Sequence, residues 1–318
     1  MIVSRNIFFN IIRYSIGISV IIACVYYVQK QEDILPVLNE FHVDLLFPVG
    51  LFIILHLISL YLLWKRLING LGSVKPQERQ ILHSFFGGRT MGFISPGHTG
   101  ELFKGLFFSR GQRLEATGLS LINSGYGLLI RLVLGICASI YFIYRVSSLI
   151  TLFRYITISL VFILIIGMIV YKYRKKIFNK LSFNSILIRQ FFDLLSYMSN
   201  HFKNNSRLFV INNVTISLAA NLFSLIAFMF LLKGFSISVD YIDGLMAYEA
   251  SYLVMSLLPF TPAGIGMREG ARVFFFTLIG SSSAAVLCAS FLMTLFNIII
   301  PAIIGMWSIN YFVKEATK

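Results

Sequence analysis

The chain is 318 residues long, 57% of them apolar and 13% charged, and its apolar residues gather in long runs, which excludes an ordinary soluble domain and marks an all-α, polytopic membrane protein. The runs are continuous rather than alternating over segments of roughly 10 residues, which argues against a membrane β-barrel. The 27 basic against 13 acidic residues give a formal charge of +14, which basic cytoplasmic loops and anionic headgroups account for in a membrane protein, with no need for nucleic acid.

In chain order, the first apolar run, residues 7–28, has Arg5 ahead of it and Arg13 near its start and superficially resembles a signal peptide. It ends in YYVQKQED without a small-residue cleavage site, so it reads as a retained first span. Further spans are predicted at residues 45–64, 116–144, 149–171, 208–232 and 284–313, each near the ~20 residues needed to cross a bilayer. That makes about six spans. Cys24, Cys137 and Cys288 lie within apolar runs with neither CxxC nor Cys/His spacing, so they read as small hydrophobes rather than as a disulfide framework or a metal site.

The distribution of lysine and arginine orients the spans. The first connection carries Lys30 against Glu32, Asp33, Glu40 and Asp44 and reads as external, whereas Lys65, Arg66, Lys75 and Arg79 after the second span read as internal. The largest basic block, from Lys172 to Arg207, is internal too, and Lys314 and Lys318 place the C-terminus in the cytoplasm with the N-terminus. Two apolar segments do not fit as crossings. Residues 81–108 have Arg79 on one side and Arg110 with Arg113 on the other, so both ends face the cytoplasm; residues 241–280 join two spans whose near ends are both external. Each is expected to be a re-entrant hairpin, entered from opposite faces, because non-helical backbone at membrane depth is tolerated only inside protein or beside a wet cavity.

The predicted order, two spans, a hairpin and a span, then occurs twice, over residues 1–145 and 146–318 of a single domain and in inverted orientation. The hairpins carry matching clusters, ISPGHTGELFKG and LLPFTPAGIGMREG, with a glycine four positions after the proline in each. Inverted repeats with broken helices suggest a transporter whose site lies between the halves. Ser95 before Pro96 and Thr261 before Pro262 read as helix starts, a hydroxyl cap followed by proline at the first helical position. Such ends offer partial positive charge and free N–H donors to phosphate or carboxylate, and Gly97, Gly100, Gly264 and Gly266 allow close approach to the backbone. The same residues also suit plain hairpin tips.

Charged residues inside apolar segments add to this reading, since each costs roughly 2.5–3.5 kcal/mol at mid-membrane on insertion scales. Arg131 lies near the middle of the third span, and Glu101, Lys104, Glu249, Arg268 and Glu269 are the other candidates for depth. Arg131, Arg268 and Lys104 are then phosphate contacts, with Glu101, Glu249 and Glu269 as counter-charges or proton carriers; internal ion pairs that merely hold hairpins to spans are the alternative. His98 reads as a residue of the hairpin tip or the membrane surface, with titration or contact to a headgroup as the alternative, and Asn123, Asn221 and Asn297 within spans are expected to hydrogen-bond between helices. His42, His56, His83 and His201 show no metal spacing, and no cofactor motif is present.

The two clusters resemble the paired motifs of the lysylphosphatidylglycerol synthase transmembrane-region, or flippase-like, family, over nearly the whole chain. His98 stands where arginine is common, Lys104 where a second arginine is expected, and Ala263 where glycine is usual. The resemblance implies an inner-membrane protein that moves a lipid headgroup between leaflets, with phospholipids, hopanoids and polyprenyl-linked sugars as suggested substrates. Larger relatives add a soluble aminoacyl-transfer domain; with the sequence stopping at Lys318, just past the last span, no enzymatic activity is expected here. A phosphate-bearing lipid, anionic or polyprenyl-linked, is thus the expected partner. The competing expectation is a non-transporting scaffold for envelope-biosynthesis enzymes. A membrane transferase is disfavoured by loops that lack an acidic metal-binding pair.

Overall fold

A computed structural model describes residues 34–70, 76–95, 98–109, 111–145, 206–257 and 261–316, with isolated positions ahead of residue 34. The predicted span at 149–171, nearly all of that at 7–28, the basic block up to Lys203, and the site candidates Pro96 and Gly97 lie outside the described residues. Among those described, every regular element is helical. Four helices are long and apolar enough to cross a membrane, Val43–Ile68, Arg113–Arg145, Arg207–Gly234 and Ser283–Ser308, and they coincide with the predicted spans at 45–64, 116–144, 208–232 and 284–313. The protein is an integral membrane protein.

A short helix α1 (Ile34–Asn39) and a 3-10 turn lead into α2 (Leu46–Ile68), whose last turn carries Lys65 and Arg66 where the helix dipole favours cations. The first hairpin is α3 (Glu78–Ile94), a break, and a nine-residue 3-10 helix, Thr99–Phe107, which leads to α4 (Arg113–Arg145). α5 (Arg207–Gly234) starts at Ser206, whose hydroxyl accepts from Phe209 N–H at 3.2 Å. The second hairpin is α6 (Tyr241–Leu257), a break, and α7 (Met267–Leu278). The chain ends in α8 (Ser283–Thr294), a π-helical turn at Leu295–Ile299, and α9 (Ile300–Ala316).

Both predicted hairpins are therefore helix–break–helix, but their second arms do not begin where Ser-Pro and Thr-Pro place them. The 3-10 arm starts at Thr99 after His98 (φ 61°), and α7 starts at Met267 after Gly266 (φ 86°). Left-handed residues cannot be included in a right-handed helix, and Ala263 (φ 51°), Gly264 (φ 71°) and Gly266 defer the start of α7 past the whole turn. Pro262 thus sits in the turn and not at a first helical position. Ser95 is the C-cap of α3, yet its hydroxyl still accepts from a free amide of the next arm, Gly100 N–H, at 2.5 Å.

Packing is reciprocal between the two hairpins and the helices that follow them. α2 lies along α5; α4, which follows the first hairpin, packs on α6 of the second; α9, near the C-terminus, packs on α3 of the first. Close approach of α9 to α3 depends on Gly305, where a Cβ would overlap the Phe86 carbonyl and Thr90, the small-residue contact common between membrane helices. Thr90 seals it by donating to the Ala302 carbonyl at 2.6 Å.

Among the described residues, two separate apolar cores result. One surrounds the second hairpin, with Val49 and Ile53 of α2, Phe142 of α4 and Phe228 of α5; the other surrounds the first, with Leu63, Trp64 and Leu67 of α2 and Ile122 and Tyr126 of α4. Between the cores, at the middle of their helices, lie polar residues: His56 on α2, Arg131 on α4 and Asn221 on α5. His56 Nδ1 donates to the Ala220 carbonyl at 2.7 Å, joining α2 to α5 at that level.

Candidate anion site at the meeting point of the hairpins

The two breaks touch. Ala263 N–H donates to the Ser95 carbonyl at 3.1 Å, and the Arg268 guanidinium lies 3.1 Å from His98 Nε2 through the same nitrogen that donates to the Ala263 carbonyl at 3.1 Å. His98 is thus a tip residue, facing the opposite hairpin. Because guanidinium only donates, the imidazole accepts there and is neutral in this contact.

Three arginines converge on one tyrosine. Arg268 and Arg272 lie one turn apart on α7, the guanidinium of Arg131 on α4 sits 4.9 Å over the Tyr252 ring, and all three act electrostatically on the Tyr252 hydroxyl. Arg272 is fully buried; it reaches Tyr252 Oη at 3.5 Å and lies 4.5 Å over Phe228 and 5.3 Å over Tyr248, while its Nε and Nη1 have no partner among the described residues. No ion pair holds any of the three within the described residues. Cation–π contacts of this kind contribute about 0.5–2 kcal/mol each, which offsets only part of the several kcal/mol that a buried ion loses with its water. The arrangement favours a bound anion.

Glu249, on the Tyr252 helix and 1% exposed, accepts from Asn221 Nδ2 at 2.5 Å through Oε1, whereas its buried Oε2 has no partner among the described residues. Arg131 acts on it electrostatically without an ion-pair contact. On the first hairpin Glu101 takes both of its ion pairs inside the protein, with Arg89 at 2.9 Å and with Lys104 at 3.1 Å. Lys104 is 1% exposed and stands 5.5 Å over both Trp64 and Phe85. That triad carries one net positive charge.

Glu269 has a different position from the other candidates. One carboxylate oxygen accepts from Gly266 N–H at 2.6 Å, capping α7, and the other accepts from the Thr294 hydroxyl at 2.6 Å, tying α7 to α8. Both oxygens are occupied by protein donors. Gly100 and Gly264 serve close contacts: a Cβ on Gly100 would overlap the Met91 carbonyl, and one on Gly264 would press on Met255 and Arg268. Asn221 makes the interhelical bond expected of it, while Asn123 Oδ1 and Asn297 Oδ1 lack partners among the described residues.

Sequence reasoning missed Arg272, Arg89, His56 and Tyr252. Arg272 was available from its spacing of four from Arg268, which puts both on one helix face; Arg89 was available as a cation well inside an apolar hairpin arm. Nothing in the sequence singles out His56 or Tyr252, because a histidine or tyrosine in a span is ordinary until its neighbours are known.

A family model described as Lysylphosphatidylglycerol synthase TM region matches residues 14–305. No curated protein matches the chain. With that match running over nearly its full length, the chain belongs to the lysylphosphatidylglycerol synthase transmembrane-region family.

Proposed function

We propose that the protein is a lipid flippase or transporter that carries a phosphate-bearing lipid, phospholipid or polyprenyl-linked, across the plasma (inner) membrane. The observation that carries this reading is the group Arg131, Arg268 and Arg272 around Tyr252, three guanidiniums without an ion-pair partner among the described residues, beside the contact between the two hairpin breaks. Guanidinium binds phosphate oxygens bidentately, and in a low-dielectric layer each such bond is strong. Acyl chains remain in lipid while the headgroup crosses.

The halves are, on this reading, inverted repeats, with the hairpins entering from opposite faces and both termini in the cytoplasm. The reciprocal packing of α4 on α6 and α9 on α3, with α2 along α5 between them, supports a two-fold relation of this kind. Alternating access follows from rocking one half on the other about the touching breaks. The reading gives the chain no catalytic step. The closed Arg89–Glu101–Lys104 triad and the Glu269 cap favour a second reading, a membrane scaffold for envelope-biosynthesis enzymes that uses its charges structurally.

Leaflet exchange in reconstituted vesicles separates the two. A labelled anionic phospholipid or polyprenyl phosphate should exchange with the wild type, and Arg131→Ala or Arg268→Ala should slow it ~10–100-fold, as expected for loss of a charge-assisted bond worth about 1.5–3 kcal/mol. Absence of exchange with folded wild type favours the scaffold.

A further inference from the structure

Glu249 has one occupied oxygen, one buried oxygen without a partner among the described residues, and one cation, Arg131, within electrostatic reach. Among the described residues the groups facing it are few. Asn221 on α5 donates to Oε1, Arg131 on α4 acts on its charge, and on its own helix Tyr252, one turn on, lies under Arg131 and is reached by Arg268 and Arg272 of α7. Arg131 therefore stands between two anionic clients, the Glu249 carboxylate and whatever anion the arginines bind.

We propose that Glu249 is a proton-binding site linked through Arg131 to the headgroup site, so that an anionic headgroup and one proton are held together and move together. When a phosphate takes up the charge of Arg131, the carboxylate loses its compensating cation. An ionised carboxylate left alone in low dielectric is costly, and it takes a proton from water on Oε2 while Oε1 keeps the Asn221 bond. Linkage is reciprocal: the proton, by freeing Arg131, strengthens anion binding by the same factor. For a monoanionic phosphodiester the pair carries no net charge, so its passage is indifferent to membrane voltage and responds to a pH difference. This rests on the flippase reading for the movement; the linkage in binding does not depend on it.

The test is binding of a fluorescent short-chain phosphatidylglycerol to the whole protein in phosphatidylcholine nanodiscs between pH 5.5 and 8.5, a range over which the phosphodiester stays a monoanion. Wild-type affinity should fall as pH rises, by up to about tenfold per pH unit for one linked proton. Glu249→Gln, a permanent mimic of the protonated side chain, should keep the low-pH affinity throughout. Asn221→Ala removes a donor that favours the carboxylate, so its fall in affinity should begin at higher pH than in wild type, and this arm remains decisive if Glu249→Gln does not fold. His56 bonds the Ala220 carbonyl, next to Asn221, and His98 touches Arg268, so a pH dependence that survives unchanged in Glu249→Gln would assign the proton to them and overturn the proposal. An unshifted profile in folded Asn221→Ala, or no binding by wild type at any pH, would overturn it as well. Leaflet exchange is then measured separately. Binding linked to Glu249 without exchange sinks the flippase reading and leaves the proton site standing; exchange with an unlinked profile does the reverse.

Discussion

Arg272 is the residue whose environment most needs a reason. Replacing even a buried ion pair with apolar side chains of similar volume is often neutral or stabilising by about 1–4 kcal/mol, and a buried charge without an ion pair has less attraction to lose. Arg272→Met should therefore preserve or raise the thermal unfolding midpoint in detergent while weakening phosphatidylglycerol binding; a large loss of stability would make the arginine a structural member of its aromatic cage. Glu269 is expected to behave oppositely. With both oxygens bound to protein donors, Glu269→Ala should destabilise by about 1–3 kcal/mol per stranded donor; Gln should be tolerated, its oxygen accepting from Gly266 N–H and its NH2 donating to a Thr294 hydroxyl turned to accept, and the pH profile of binding should not change. Ala263, buried at φ 51°, should accept glycine with little change in stability, whereas Ala263→Val should lose about 2 kcal/mol or more, since a β-branched residue fits neither the left-handed backbone nor the packed turn.

At the scale of elements, the hairpin breaks and the α9–α3 contact invite direct intervention. Ser95 and Ala263 are neighbours through a backbone hydrogen bond. Cysteines at both positions, in a background with the native cysteines replaced by alanine, should form a disulfide on oxidation; lipid exchange should stop and return on reduction, and unaltered exchange in the cross-linked protein would show that the breaks need not part. Gly305→Val should force α9 from α3 and lower stability by about 1–3 kcal/mol, read as a lower unfolding midpoint. These elements also show what a sequence can reveal. Long apolar runs located all four described crossing helices, because hydrophobic length is a local property. Prolines and glycines located the hairpin breaks, but the Ser-Pro and Thr-Pro signals misplaced the arm starts by three and five residues, from 96 to Thr99 and from 262 to Met267. Positive φ at His98 and Ala263 decides those starts, and neither residue type announces it.

For the molecule as a whole, charges at depth in Arg131, Glu249 and Arg268 were visible as exceptions in apolar sequence, whereas the partners that sort them were not. Glu101 and Glu269 read alike from sequence; tertiary contact makes one a member of an ion-pair triad and the other a helix cap. Among the described residues, two apolar cores separated by a polar layer, with both hairpin breaks meeting there, form the framework on which the functional account stands. Its central claim is that the arginines of this layer pass a phosphate-bearing headgroup from one leaflet to the other. The most direct measurement is dithionite quenching of tagged phosphatidylglycerol in proteoliposomes containing wild type, Arg131→Ala or Arg268→Ala. The account predicts that quenching proceeds beyond the outer leaflet with wild type and returns toward the protein-free level with either variant. Equal rates for folded wild type, both variants and empty vesicles would contradict it.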